Sequence, residues 1–466
     1  MSHHLTPTQK PLERVLSKPQ PPLERVLSKS LVKPNMARDT SLALDIKSDD
    51  LINALTESLS KHGFSRLSRP DTLNYFLTDI SFTENNPETK EKISNAVQDY
   101  IANLAVCQKN DDINYTIKRK TYSGAIENVN FSIGKYIANG EYNKIHMGIL
   151  KSNINGHIKE SPIVVKICSH PDLLTDNFIE LFIHAILSIY QHRRLNNKDA
   201  KLVTPFILTS YLPQTREFIT LLEPIDGDLK GLLKSSDSDM NMEIAKEAIF
   251  YQSCGLIPLQ KDLRFIHGDN HPGNVFYKNI DGKRKYFFAD FGFTNITVNG
   301  NLLCAGCINA YERDATAHYF SPRRDLIQLT YNCFIYEFLI SNISEFRIKL
   351  LQDNMFTKRD KLLRLVDDFH KIYRADIYKS RGLKNINHQN YRIYEPSNMI
   401  NFFKHKFDYD VSLCENMIGT RWTEYLSPKE DEGGGGSKLG GSLNGGYQAK
   451  YLKYKAKYNK LKNSLT

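Results

Sequence analysis

One stretch constrains this chain more than any other: Arg264-Phe265-Ile266-His267-Gly268-Asp269-Asn270-His271-Pro272-Gly273-Asn274-Val275-Phe276-Tyr277. It is completed by Tyr286-Phe287-Phe288-Ala289-Asp290-Phe291-Gly292. Between them runs Asn279-Ile280-Asp281-Gly282-Lys283, a polar loop flanked by apolar residues of strand type. The pattern predicts a β-hairpin in which Val275–Lys278 pairs with Tyr286–Ala289. Such a hairpin brings Asp269 and Asn274, from the loop before it, to the same end as Asp290, just after it. A single aspartate on a surface hairpin signifies only solvation. A carboxylate beside a second carboxylate and an amide is a set able to orient a nucleophile and hold a hard cation.

The spacing His267-x-Asp269-x-x-x-x-Asn274 resembles the catalytic loop of protein kinases, and Asp290-Phe291-Gly292 resembles their magnesium-binding D-F-G. The resemblance implies an α+β, two-lobed protein kinase-like fold, with a small antiparallel β-sheet N-lobe and a mainly helical C-lobe. It implies ATP and Mg2+ as cofactors. Carried over, Asp269 accepts or orients the proton of an attacking hydroxyl, and Asn274 and Asp290 coordinate magnesium bridging the ATP phosphates. His267 is given a structural role. All the acid and amide positions are filled, which implies an active enzyme.

A second element is Pro162-Ile163-Val164-Val165-Lys166-Ile167. A lysine ending an apolar run is either an edge residue facing solvent or a buried cation that needs a partner. The strand resembles the V-A-I-K strand of kinases, whose lysine holds the α- and β-phosphates and pairs with a helix glutamate. The amphipathic stretch Asp176–Arg193 offers Glu180 among Phe178, Ile179, Phe182, Ile183, Ile186 and Leu187. Glu180 is preferred to Asp176 because it lies deeper in the apolar pattern. Upstream, Ile137–Ile145 stands where a glycine-rich loop belongs, although only Gly140 keeps glycine; Ala138 and Asn143 occupy the other two positions. Ile137, Gly140 and Ile145 are assigned to ATP on that positional ground.

Downstream, Glu217–Leu222 followed by Glu223-Pro224-Ile225-Asp226-Gly227-Asp228-Leu229 resembles the hinge between kinase lobes. The resemblance implies that adenine bonds the Glu223 carbonyl and the Ile225 amide, with Leu222 as gatekeeper. A helix is predicted over Met242–Leu259. After D-F-G, Arg323-Arg324-Asp325-Leu326 resembles the helix start in casein-kinase and poxviral types, where the aspartate caps catalytic-loop amides. Cys304-Ala305-Gly306-Cys307 is a single C-x-x-C, better read as plain thiols than as a zinc site.

Two departures widen the reading. Gly268 replaces the arginine of H-R-D, so no phospho-switch on that residue is expected. His271 stands where protein-serine/threonine kinases carry a lysine, and His267-Gly-Asp-x-His-Pro-Gly-Asn274 looks more like aminoglycoside and choline phosphotransferases or the atypical kinases of ubiquinone synthesis. Three functions follow: a serine/threonine protein kinase, a small-molecule phosphotransferase, or a nucleotide-binding virion or scaffold protein without turnover.

The ends are of another kind. Residues 1–40 carry an imperfect tandem, Pro11–Lys18 and Pro22–Lys29, with prolines that prevent a continuous helix, so a disordered tail is expected. Residues 41–121 read as a helical extension, with Leu51, Ile52, Leu55 and Leu59 on one face and Ile93, Val97, Tyr100, Ile101 and Leu104 on another. Strands are expected from about Tyr122, giving an N-lobe over 122–223 and a C-lobe over 224–428, with helices including Lys349–Arg364 and Ile400–Phe407. Residues 429–446 form a Gly/Ser linker. In 447–466, Tyr447, Tyr451, Tyr454, Tyr458, Leu461 and Leu465 make one face of a basic amphipath, suited to an acidic partner or a membrane surface. This tail resembles a short C-terminal motif of giant DNA viruses, which implies a viral origin.

A net charge of +10 spread along 466 residues reads as solvated surface, and no specific nucleic-acid binding is expected. Seven cysteines in no framework spacing imply reduced thiols in a cytoplasmic compartment, meaning host cytoplasm, viral factory or virion. No signal core and no transmembrane run are found.

Overall fold

The computed structural model describes residues 48–139, 143–154, 157–194, 202–235, 238–308, 322–333 and 395–418. The tandem tail, Gly140, the helix expected over 349–364, the Gly/Ser linker and the basic tail lie outside them. Helices α1 (Ser48–Leu59), α2 (Pro70–Asp79) and α3 (Pro87–Ile101) come first. Pro70 and Pro87 take first-turn positions, where a missing N–H costs nothing, and Asn86 caps α3 by accepting from the Thr89 amide at 2.7 Å.

Strands begin at Val106, well before the change of pattern expected near Tyr122. β1 (Val106–Lys109), β2 (Asn114–Lys120), β3 (Ile126–Asn139), β4 (Asn143–Ile154) and β5 (His157–Cys168) precede α4 (Leu174–Arg194); β6 (Phe206–Leu212) and β7 (Glu217–Leu222) follow it. They close into a barrel in the order β1-β2-β3-β4-β5-β7-β6. This corrects the small antiparallel sheet that the resemblance implied. Residues 106–120 supply two extra strands, and β1 meets β6 in parallel at Val106↔Tyr211. The Tyr211 amide also donates to the Ala105 carbonyl at 2.9 Å, so the outer edges satisfy each other instead of facing water.

Alternation along β5 and β7 divides the interior. Ile163, Val165, Ile219 and Leu221 fill the barrel with Cys107, Ile117 and Phe131, whereas Cys168, Phe218 and Leu222 join the main core. The barrel is tight enough that a Cβ on Gly148 would lie 2.6 Å from the Ser132 carbonyl oxygen.

The chain continues through β8 (Gly227–Asp228), α5 (Leu229–Ser235) and α6 (Ser238–Leu263), which is longer at both ends than the helix predicted there. Two hairpins follow: β9 (Val275–Ile280) with β10 (Lys283–Phe288), and β11 (Asn295–Val298) with β12 (Asn301–Cys304). Helices α7 (Arg324–Tyr331), α8 (Pro396–Phe407) and α9 (Ser412–Ile418) complete the described residues. Mostly antiparallel strands segregated from helices make an α+β arrangement.

Helix α4 is covered on every side from Leu174 to Gln191, its polar side chains included. Phe64 and Phe76 of the N-terminal extension pack edge-on against Phe178 and Phe182, with ring centroids 5.3 to 5.9 Å apart. The extension reaches further: the Phe82 amide donates to the Leu302 carbonyl at 2.8 Å, and the Leu302 amide donates to Ser81 Oγ at 3.1 Å.

Four of the cysteines expected as thiols are paired. Cys254 joins Cys414 across α6 and α9, and Cys304 joins Cys307, with Cα separations of 4.9 and 5.6 Å. The first pairing spans residues 160 apart in sequence, which no local spacing announces. Among the described residues no group of three or more His, Cys, Asp or Glu side chains is arranged to hold a metal. No described helix is long and apolar enough to cross a membrane.

Candidate active site

β9 and β10 pair from Val275↔Phe288 to Ile280↔Lys283, one residue off the expected register. The loop is also shorter than expected, a two-residue turn in which Asp281 and Gly282 both take positive φ (51° and 75°), the conformation that Asp-Gly favours. At the open end the Ala289 amide donates to the Asn274 carbonyl at 3.0 Å, so Asn274 and Asp290 flank the same end of the ladder. Asn274 Nδ2 donates to the Asp269 carbonyl at 2.9 Å and to Asp269 Oδ2 at 3.2 Å. Its Oδ1 is left uncommitted by these contacts. Asp290 is exposed, with a left-handed φ of 63°.

The loop before the hairpin is held by α7. Asp325, fully buried, accepts from the His267 amide at 2.8 Å and the Gly268 amide at 3.0 Å. Burial pushes its carboxyl up, while the two amides pull the other way. His267 Nε2–H donates to the Ala289 carbonyl at 2.8 Å, which leaves Nδ1 as the acceptor facing the Asp269 amide at 3.4 Å. Burial lowers His267 and keeps it neutral. Gly268 has a φ of 81°, and a Cβ there would lie 2.2 Å from the Phe293 carbonyl oxygen. No arginine fits this backbone.

Lys166 Nζ donates to Glu180 Oε1 at 2.7 Å, with the two side chains only 14% and 9% exposed. Asp176 instead accepts from the Ile308 amide at 3.2 Å. Burial alone would lower Lys166, but the attraction of Glu180 and Asp290 outweighs it and raises the amine. Glu180 is pushed up by burial and by Asp290 and drawn down by Lys166. These shifts oppose each other within one pair; Lys166 decides it, since two anions surround one cation. A Cβ on Gly292 would find Glu180 Oε2 at 3.6 Å and Asp290 Oδ1 at 3.7 Å, so both carboxylates border one small residue.

Burial also works to raise Asp269. The hydrogen bonds from His271 and Gln328 outweigh it and hold the carboxyl below the ordinary aspartate value. Ile145 lies opposite Lys166 across β4 and β5. Ile137 is exposed on β3, beside the irregular register at Tyr136 and Ala138. Glu223 and Ile225 follow β7. The Glu223 amide donates to the Pro205 carbonyl at 3.1 Å, whereas the Ile225 amide has no backbone acceptor among the described residues.

No protein-family model and no curated protein matches the chain. Among solved structures it is similar to that of vaccinia related kinase 3, at 14% identity and a TM-score of 0.30. The match covers 40% of this chain and 53% of that one, about half its length. A likeness this distant carries no argument; the side chains do.

Two polar side chains at the site are not evident from sequence. Gln328 follows Asp325 by three positions on α7 and touches Asp269. His184 follows Glu180 by four positions on α4, which puts it on the same face. Its Nε2–H donates to the Thr204 carbonyl at 2.7 Å. Its ring lies 4.9 Å from Phe206 and 4.6 Å from Phe291, which in turn lies 5.6 Å from His267. This column of rings joins α4, Phe291 and the loop before β9.

Burial pulls His184 down to about 3 from its ordinary value of 6.5. As pH falls through that window the unfolded chain takes up a proton that the folded one refuses. Stability is therefore fully present above the ordinary value and is lost toward the depressed one, by up to about 1.4 kcal/mol per pH unit. Replacing His184 with Gln removes this titration. In urea unfolding, the stability advantage of wild type over His184→Gln is expected to shrink steadily on acidification; a constant difference would contradict a buried neutral imidazole.

Proposed function

We propose that the protein is an ATP- and magnesium-dependent phosphotransferase with a two-lobed kinase-like fold, transferring the terminal phosphoryl group to a serine or threonine hydroxyl of a protein. The observation that carries this reading is the buried Lys166–Glu180 pair standing beside Asp290, with both carboxylates bordering Gly292. The donor set fits magnesium: an exposed carboxylate and an uncommitted amide oxygen are hard ligands, and this ion takes one or two protein groups plus phosphate oxygens. The Ile225 amide is a donor available to an adenine edge.

Magnesium-bound ATP supplies the phosphoryl group and neutralises its oxygens. The chain supplies placement. Lys166, kept cationic and fixed by Glu180, would align the phosphates, while Asn274 and Asp290 would hold the cation. Ile137 and Ile145 would cover the nucleotide, and Glu223 and Ile225 would take its base. Asp269, ionised, receives or orients the proton of the acceptor hydroxyl.

A second reading, transfer to a small-molecule hydroxyl, draws on His271. Its Nε2 stands 3.5 Å from Asp269 Oδ2 while its Nδ1 accepts the Gly273 amide at 3.0 Å. The place of a phosphate-contacting lysine is thus taken by an imidazole turned toward the base. Labelled ATP with magnesium, using wild type, Lys166→Ala and Asp269→Asn, tests both. Label on protein that disappears in both variants supports the first; ATP consumption only with added metabolites supports the second. Nucleotide binding without turnover would sink both and leave a scaffold.

A further inference from the structure

We propose that Gln328 is a positioning residue for this transfer, aiming the Asp269 carboxylate from the helix beneath the catalytic loop; the assignment rests on the phosphotransferase reading. Gln328 Nε2 donates to Asp269 Oδ1 at 3.0 Å, and Gln328 Oε1 accepts from the Asn270 amide at 2.9 Å. The orientation of the side-chain amide follows from its partners. A backbone N–H only donates and a carboxylate only accepts, so oxygen faces Asn270 and nitrogen faces Asp269.

The clamp has a firm base. One turn earlier on α7, Asp325 takes the His267 and Gly268 amides, and its carbonyl accepts from Asn270 Nδ2 at 3.2 Å. Leu326, Ile327 and Leu329 on the same helix are buried in the core. The two carboxylate oxygens of Asp269 are then unequal. Oδ2 faces two donors, Asn274 Nδ2 at 3.2 Å and His271 Nε2 at 3.5 Å. Among the described residues Oδ1 faces only Gln328, which leaves it the second lone pair. The geometry therefore selects Oδ1 as the oxygen presented to the acceptor hydroxyl. Gln328 prevents the carboxylate from turning away.

Gln328→Glu keeps an oxygen for the Asn270 amide but replaces the donor to Asp269 with an anion of the same shape. Its kcat is expected to fall by about 10²-fold, the cost of a misaimed reacting group, with KM for ATP unchanged. Gln328→Met, which removes both contacts, should lose at least as much. In an Asp269→Asn background either change should add nothing, because no carboxylate remains to be aimed. Wild-type turnover in Gln328→Glu, or losses that multiply in the double variant, would overturn the assignment.

A second measurement needs no turnover. The side-chain amide resonances of Gln328 in the isotope-labelled full chain should move on Asp269→Asn. Unmoved resonances overturn the contact itself. An inactive wild type would sink the phosphotransferase reading together with the role built on it, a result distinct from an active enzyme indifferent to Gln328.

Discussion

Asp269→Asn is expected to lower turnover by about 10²- to 10⁴-fold, the usual contribution of a positioned proton acceptor, while nucleotide binding and fold stay intact. Binding should survive because the groups assigned to the nucleotide lie on other elements: Lys166 pairs with Glu180, which borders Gly292 with Asp290. The fold should survive because the loop is held chiefly through its backbone. Asp325 takes the amides of His267 and Gly268, and the Ala289 amide ties the hairpin base to Asn274. Asparagine keeps one acceptor oxygen for these neighbours, loses the other, and cannot receive a proton. Labelled-ATP turnover beside nucleotide titration and thermal unfolding checks all three points. Undiminished turnover with unchanged binding would remove Asp269 from the chemistry.

Phe76→Ala is expected to cost about 3–5 kcal/mol of stability, as truncation of a fully buried aromatic does. Phe76 is 0% exposed and touches Tyr100 at 4.1 Å, Phe182 at 5.3 Å and Phe178 at 5.9 Å between centroids. The two phenylalanines at the far side of that cavity lie on α4, the helix that also carries Glu180 and His184. A loosened extension should therefore weaken the hold on the Lys166 partner, and activity should fall at temperatures where the variant is still folded. Tyr75, its neighbour, is 73% exposed, so Tyr75→Ala should stay within about 0.5 kcal/mol of wild type. Denaturant unfolding and turnover of the two variants side by side make the comparison. Equal stability would mean that the extension merely decorates α4.

Much of the site was legible because its chemistry is written locally. An apolar run ending in Lys166, an amphipathic stretch carrying Glu180, and a turn-forming Asp281-Gly282 between strand-like segments each announce an element within a dozen residues. The buried lysine demanded a counter-charge, and Glu180 rather than Asp176 supplies it. Register was less legible: the hairpin pairs one residue away from expectation because the two-residue turn lets the strands run on to Ile280 and Lys283.

What the sequence by itself determined, then, is which local elements bear or flank Lys166, Glu180, Asn274 and Asp290. Tertiary structure alone decided that β1 meets β6 to close a barrel, that Cys254 finds Cys414, that Phe293 forbids a side chain on Gly268, and that Gln328 grips Asp269. The physical reason is one of range. Periodicity and turn preference report how a segment folds on itself, whereas these contacts depend on which faces meet after the chain has crossed on itself, and a face carries no mark of its eventual partner.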